Sequence, residues 1–393
     1  MKREMDTCDK RMETIVITAS FYDDIHKFVS SVGWDLIFGL NLLLRKPDGA
    51  WDPSNAEELM KYTVQSGYKM GGWELGNEPN NYGRKFGCKV GARQLVKDFH
   101  TLNSLLGEYP QFDDTEVLGP SVTQLSTDDY FQRFVNAGGG EVVTALTYHQ
   151  YYEDGSVAKL EDFYNPYILN ILYRQIQKGM NLTRAAGTKA KLWLGETSSA
   201  WRSGAPGLSD RYVAAFMWLD KLGMSARDGF NAVVRQSFYG GNYSLLDNET
   251  CAPNPDYWLT VLFKLLVGNK VLRVISPDSL GKIRAYAHCA ETRKSGYPEG
   301  SVTVYVMNID QSPVTIELPD FARNSPLHVY NMLPADDDLL SKFVLLNGKK
   351  LQMEDDKTIP NLLRPVKTTR TVLIPALSYS FIVVPDARLH CCM

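Results

Sequence analysis

Trp73-Glu-Leu-Gly-Asn-Glu-Pro79 reads as a short apolar strand ending in a turn that carries Asn77 and Glu78, with Pro79 blocking any continuation of the strand. Three predicted strands later, Lys191-Leu-Trp-Leu-Gly-Glu-Thr-Ser-Ser199 repeats the pattern and closes on Glu196 and a polar turn. In parallel β/α architectures the catalytic groups sit at the C-terminal ends of strands. The two segments therefore point to one fold and to two carboxylates at the same end of it.

Working outward, short apolar runs at 36–41, 71–76, 116–120, 142–149, 191–196 and 232–238 alternate with amphipathic stretches near 54–67, 91–107, 127–137, 162–180, 208–224 and 256–267. Such alternation is the signature of repeated β-α units on a parallel sheet. The first helix is the best marked, because Ser54-Asn-Ala-Glu57 predicts a capping box and Gly67 a C-terminal glycine. The fold class is α/β, a (β/α)8 TIM-type barrel of which six units are visible. Residues 1–34 show no convincing pair of strands, so the barrel is expected to lack its N-terminal strands. Beyond about residue 271 the pattern changes to short alternating strands at 282–289, 301–309, 314–318 and 370–384, which predicts a β-sandwich. The expected domains are a catalytic barrel over 1–270 and a sandwich over 271–393.

The 393 residues are 44% hydrophobic and 22% charged, with a formal net charge of −3, so no whole-molecule attraction to nucleic acid or anionic membranes is expected. The N-terminus lacks the apolar core of a signal peptide, and no run is long enough to span a membrane. Six cysteines without a CxxC pair and six histidines without HExxH give no metal-site pattern, and no cofactor is implied. Sequons at Asn181, Asn242 and Asn248 are glycan sites if the chain is secreted and chance matches otherwise.

Glycoside cleavage needs two carboxyl groups, one to protonate the leaving oxygen and one to attack the anomeric carbon or activate water. A lone Glu at a strand end is more often a cap or an ion-pair partner, but two in matching strand-turn contexts favour chemistry. Trp73-Glu-Leu-Gly-Asn-Glu-Pro-Asn80 and Trp193-Leu-Gly-Glu-Thr-Ser-Ser-Ala200 resemble the acid/base and nucleophile motifs of the heparanases, glycoside hydrolase family 79. Further likeness lies in Asp35-Leu-Ile-Phe-Gly-Leu-Asn41, Tyr148-His-Gln-Tyr-Tyr152, Phe216-Met-Trp-Leu-Asp-Lys-Leu-Gly223 and Pro255-Asp-Tyr-Trp258, and the resemblance runs from about residue 35 to the end.

The resemblance implies a secreted or lysosomal endo-β-glucuronidase acting on a glycosaminoglycan by double displacement, with Glu78 as acid/base and Glu196 as nucleophile. Glu78 should then titrate high enough to be protonated when substrate binds. Asn77, Gln124, His149, Tyr151, Arg202 and Tyr243 are the implied substrate contacts, with a core position beneath the barrel mouth as the lesser reading of His149 and Tyr151. A disulfide between Cys289 and Cys392 is also implied, with Cys391 a competitor beside it and Cys8, Cys88 and Cys251 left as candidates for free thiols. In that family the first barrel strands come from a separate N-terminal segment, which becomes an expected partner.

The sequence departs from the family where sulfate would be held: Leu125-Ser126-Thr127 replaces an arginine pair, and only Lys282 remains of a basic cluster before Arg284. Heparan sulfate is the expected polymer, with unsulfated hyaluronan as the alternative, since leech hyaluronidase shares several of these motifs. A truncated, non-catalytic glycosaminoglycan-binding protein is the reading from another class. Paired cations such as Arg84-Lys85 and Lys349-Lys350 read as solvated surface.

Overall fold

The computed structural model describes residues 15–275, 278, 281–322 and 325–393. By internal contacts the chain forms two compact units interleaved along the sequence: residues 1–150, 175–196 and 231–234 make one, and 151–174, 197–230 and 235–393 the other.

The first unit is organised on a six-stranded sheet in the order Ile37–Leu40, Gly72–Leu75, Glu116–Val122, Ala145–Gln150, Lys191–Thr197, Ala232–Arg235. The first four strands pair in parallel, with Phe38 opposite Trp73 and Trp73 opposite Val117. All six predicted strands are present within a few residues of their expected ends. The sheet ends at Ile37–Leu40 on one side and Ala232–Arg235 on the other, and among the described residues no further strand extends it. The first described element is the helix Ala19–Ser31, capped by the Thr18 hydroxyl, which accepts from the Phe21 N–H at 3.2 Å.

Helix Ala92–Leu106 shows how the sequence pattern becomes packing. Leu95, Val96, Phe99, Leu102, Leu105 and Leu106 recur at helical spacing and are all buried, with Phe99 and Leu102 fully so. Phe99 lies against Gly119 of the third strand, where an added Cβ would come 2.3 Å from the ring. That close approach is the reason for glycine there.

The helix Ser54–Gln65 begins differently from its expected capping box. Pro53 occupies the cap position, the Ser54 N–H donates to the Asp52 carboxylate at 3.1 Å, and Glu57 pairs with Lys61 one turn on. Pro53 at the cap makes Ser54 the first residue of the helix, and the Glu57 N–H that the serine hydroxyl would have held donates to Pro53 O at 2.8 Å. At the other end Gly67 takes φ +67°, its N–H reaching Val64 O and the Tyr68 N–H reaching Thr63 O, as a helix-ending glycine should.

The second unit carries antiparallel sheets. Lys349–Lys350, Val344–Leu346, Pro326–Pro334, Ser378–Val384, Val302–Asn308, Ile283–Ala290 and Val267–Leu272 follow one another in one sheet, with Val366–Thr369 also on Pro326–Pro334. Val314–Glu317 pairs separately with Thr371–Ile374. Val304, Val306, Leu327, Val329, Val372, Ile374, Ile382 and Val384 from both sheets form one apolar core. The strand predicted over 370–384 is two strands, because Pro375 has no N–H for the ladder and Leu377 adopts φ +48°. The strand Val267–Leu272 begins at the last residue expected of the helix over 256–267; Val267 is buried, whereas Asn269, Lys270 and Val271 are exposed.

Cys289 and Cys392 form a disulfide across 103 residues. Cys88 is disulfide-bonded, so its expectation as a free thiol is corrected, while Cys251 and Cys391 are free and exposed. Cys8 lies outside the described residues. Cys392→Ser should lower the urea-unfolding free energy by about 4 kcal/mol, because a loop of this length is released, whereas Cys391→Ser should leave the midpoint in place. Equal effects would mean that the two neighbours exchange partners.

Candidate active site

Three strand ends of the first unit converge on one cluster. Glu78 lies three residues past Gly72–Leu75, His149 is the penultimate residue of Ala145–Gln150, and Glu196 is the penultimate residue of Lys191–Thr197. His149 is buried, and its Nδ1 faces both acids, 3.0 Å from Glu78 Oε1 and 3.7 Å from Glu196 Oε1. The ligating atoms of all three lie within 4.8 Å of one another, so the two glutamates approach closely at the same end of the sheet.

The loop that presents Glu78 is held by its neighbours. Gly76 takes φ +81°, where a Cβ would strike Leu42, and Glu78 itself takes φ +52°. The Glu78 N–H donates to Ser121 O at 2.7 Å, and the Asn77 N–H donates to the Tyr82 hydroxyl at 3.2 Å. Asn80 clasps the turn after the third strand, donating to Thr123 Oγ1 at 2.6 Å and accepting from the Thr123 N–H at 3.1 Å. Pro79 starts the short 3-10 turn Pro79–Asn81 that carries this clasp.

Charge compensates charge here. Burial raises the Glu78 carboxyl, but the hydrogen bonds and charges of His149 and Lys85 outweigh it and hold the group at about 2. Lys85 Nζ lies 2.5 Å from Glu78 Oε2. The expectation of a Glu78 that titrates high is therefore not met in the resting arrangement, because a lysine read as solvated surface is bonded to it. Glu74, four residues earlier in the same strand segment, behaves in the opposite way. Desolvation, with a smaller push from the Glu196 charge, raises it to about 7 against the opposing influence of His149 and Ser121. An ionisable residue inside an otherwise apolar strand was the available signal for Glu74; nothing in sequence marked Lys85 or Ser121.

Three converging ligand-type groups are also a spacing that a divalent ion could accept. Here the Lys85 ammonium already occupies the Glu78 carboxylate and the His149 Nδ1 is committed to the two acids, so the donor set is that of an organic acid/base pair. The other convergent set among the described residues, Cys289, Cys391 and Cys392, has two members in the disulfide.

The remaining candidates are placed as follows. Asn77 is exposed beside Glu78, and Gln124 accepts from Gln175 Nε2 at 3.0 Å, both in the first unit. In the second unit Tyr151 and Tyr243 are buried with ring centroids 6.3 Å apart, and Arg202 is exposed with its Nε 2.9 Å from Asp154. Of the sequons, Asn181 is exposed, Asn242 half-buried, and the exposed Asn248 spends its amide on the turn, donating to Gly241 O at 3.0 Å. Arg284 is buried and donates to Asp220 at 2.8 Å, and Lys282 pairs with Asp310 at 2.9 Å.

The model of glycosyl hydrolase family 79, N-terminal domain, matches residues 13–223. Bovine heparanase is 42% identical over 391 residues, spanning 98% of this chain and 71% of its own. Hyaluronoglucuronidase of the leech Hirudo nipponia is 35% identical over 409 residues, spanning 98% and 82%, and human inactive heparanase-2 is 35% identical over 395, spanning 96% and 66%. Among solved structures, a 4-O-α-L-rhamnosyl-β-D-glucuronidase of Fusarium oxysporum aligns with a TM-score of 0.68 at 16% identity, over 92% of this chain and 79% of that one. The chain belongs to glycosyl hydrolase family 79, and its fold is that of the barrel-type glycoside hydrolases. Within the family it is a heparanase-like glycoside hydrolase. The likeness starts at residue 13, earlier than the motifs near residue 35 suggested, because the helix Ala19–Ser31 carries no strand or catalytic signature to read.

Lys85→Met should raise the Glu78 carboxyl from about 2 toward the ordinary range, read by carbon NMR titration with Glu78→Gln as the assignment control. A depressed carboxylate stabilises the fold above its ordinary titration range and loses that contribution as pH falls toward 2, so the variant should also unfold at a higher pH on acidification. An unmoved Glu78 titration would show that His149 alone sets it.

Proposed function

We propose that the protein is a retaining endo-β-glucuronidase that cleaves a glycosaminoglycan, heparan sulfate first, with Glu78 as general acid/base and Glu196 as nucleophile. The observation that carries this reading is the approach of the two glutamates to within 4.8 Å around His149. Retaining glycosidases hold their carboxyl groups roughly 5 Å apart, whereas inverting ones leave about 6.5–9.5 Å for a water. Asn77, Gln124 and His149 are assigned to sugar binding in the first unit. In the second, Tyr151 and Tyr243 offer rings and Arg202 a guanidinium suited to a uronate. Residues 1–270 are taken as the catalytic domain and 271–393 as a β-sandwich. Strands from a separate heparanase-type N-terminal segment, pairing along Ile37–Leu40 and Ala232–Arg235, would close the barrel. Secretion or lysosomal residence, with glycans at Asn181, Asn242 and Asn248, accords with this substrate.

Hyaluronan is the second reading, favoured by a specific observation. The cations retained nearest the thinned basic cluster are engaged internally, Arg284 by Asp220 and Lys282 by Asp310, which leaves fewer charges for sulfate. The 35% identity to a leech hyaluronoglucuronidase accords with it.

Reducing-end release from heparan sulfate and hyaluronan at acid and neutral pH tests the reading. The native chain should cleave heparan sulfate with the β-anomer as first product by proton NMR, and Glu196→Gln should fall to background. Preference for hyaluronan would replace the polymer but keep the mechanism. Saturable binding without cleavage, from folded protein, would overturn the hydrolase in favour of a non-catalytic binder.

A further inference from the structure

Ser121 joins more of the site than any residue the sequence singled out. Its carbonyl accepts from the Glu78 N–H at 2.7 Å, its own N–H donates to Thr147 Oγ1 at 2.9 Å, and its hydroxyl lies 2.9 Å from His149 Nε2. Ser121 and His149 are both buried, where a hydrogen bond is stronger than in water and a missing one is costly. One residue thus fixes the backbone of one acid and the far edge of the imidazole that faces both.

The chemistry of that far edge is specific. His149 Nδ1 lies 3.0 Å from Glu78 Oε1 and 3.7 Å from Glu196 Oε1, and Glu78 rests as a carboxylate beside Lys85, so Nδ1 carries the hydrogen between them. Nε2, on the opposite edge, is either bare or bears a second hydrogen. A hydroxyl meets both cases, donating to the bare nitrogen and accepting from the protonated one. A carboxylate or carbonyl in its place could only accept, and an ammonium could only donate. The Ser121 hydroxyl therefore keeps the ring aimed at the acids in either state of the imidazole.

We infer that Ser121 is a positioning residue that holds His149 so that its Nδ1–H serves Glu78 and Glu196 in turn. The inference rests on the reading of Glu78 as acid/base and Glu196 as nucleophile. In double displacement the negative charge changes places. As Glu196 bonds to the anomeric carbon and the Glu78 proton goes to the leaving oxygen, the charge passes from Glu196 to Glu78. As water attacks that carbon, its proton goes to Glu78, the bond to Glu196 breaks, and the charge returns. The Nδ1–H stays on His149 throughout and bonds to whichever acid is charged. The two distances differ by less than 1 Å, so a small tilt about the Ser121 bond exchanges one partner for the other. Without that bond the buried Nε2 loses its partner and the ring its pivot.

The test compares the full chain with Ser121→Gly, which suits the φ of +49° at this position and removes the hydroxyl, and with Ser121→Cys, whose thiol is a weak donor and acceptor. On the polymer that the native chain cleaves, Ser121→Gly should lose about 10-fold or more in kcat with KM unchanged, and Ser121→Cys should recover part of the loss. The same glycine substitution made in His149→Gln should cost nothing further, because Ser121 acts through the imidazole. Equal losses in the two backgrounds would leave Ser121 a support of the Glu78 backbone alone and overturn the inference. A second readout is independent of turnover. Nitrogen NMR of histidine-labelled protein, with His149→Gln as the assignment control, should show His149 protonated at Nδ1 in the native chain and averaged between tautomers in Ser121→Gly. An unchanged His149 signal in Ser121→Gly overturns the inference whatever the activity. The expected change in a folded protein that cleaves neither heparan sulfate nor hyaluronan overturns the hydrolase reading instead, and leaves only the hold on the ring.

Discussion

Two carboxylates brought within 4.8 Å repel, and the site is organised around that cost. His149 stands between them, Lys85 takes the outer oxygen of Glu78, and Glu74 beneath is driven toward its neutral form. Each of these groups comes from a different element: a strand, the helix Tyr82–Phe86, and the strand that leads into the turn carrying Glu78. The parallel sheet supplies the proximity, because it delivers successive strand ends to one face, and the loops supply the charge balance.

This division explains what could be read in advance. Strand positions follow from runs of apolar residues, and all six first-unit strands lie where periodicity puts them. Glu78 and Glu196 were legible because each ends a strand in a distinctive polar turn. Lys85 was not, since its bond to Glu78 depends on the fold of residues 79–86 and not on any local pattern; as sequence it is one of many surface lysines. Ser121 was hidden for a related reason. Its three contacts reach residues 26–43 positions away, and serine at a strand end carries no chemical signature. The capping box at Ser54 did not form because the helix starts one residue early, and Pro53 O receives the Glu57 N–H that the serine hydroxyl would have held.

The second unit buries charge among its side chains. Asp220 receives Arg284 Nε and the Tyr286 hydroxyl, and Asp256 lies 2.7 Å from Arg235, so these two arginines of this half are engaged internally. Counting basic residues along the sequence overstates what remains for a polyanion. Cations available to a ligand must be counted after their internal partners are subtracted.

The backbone at Ser121, at φ +49°, sets stability and chemistry against each other at one position. Left-handed geometry costs a non-glycine residue on the order of 1 kcal/mol or more, a cost that glycine avoids. Selection for thermal robustness alone would draw this position toward glycine, and with the side chain would go the hydroxyl that lies 2.9 Å from His149 Nε2.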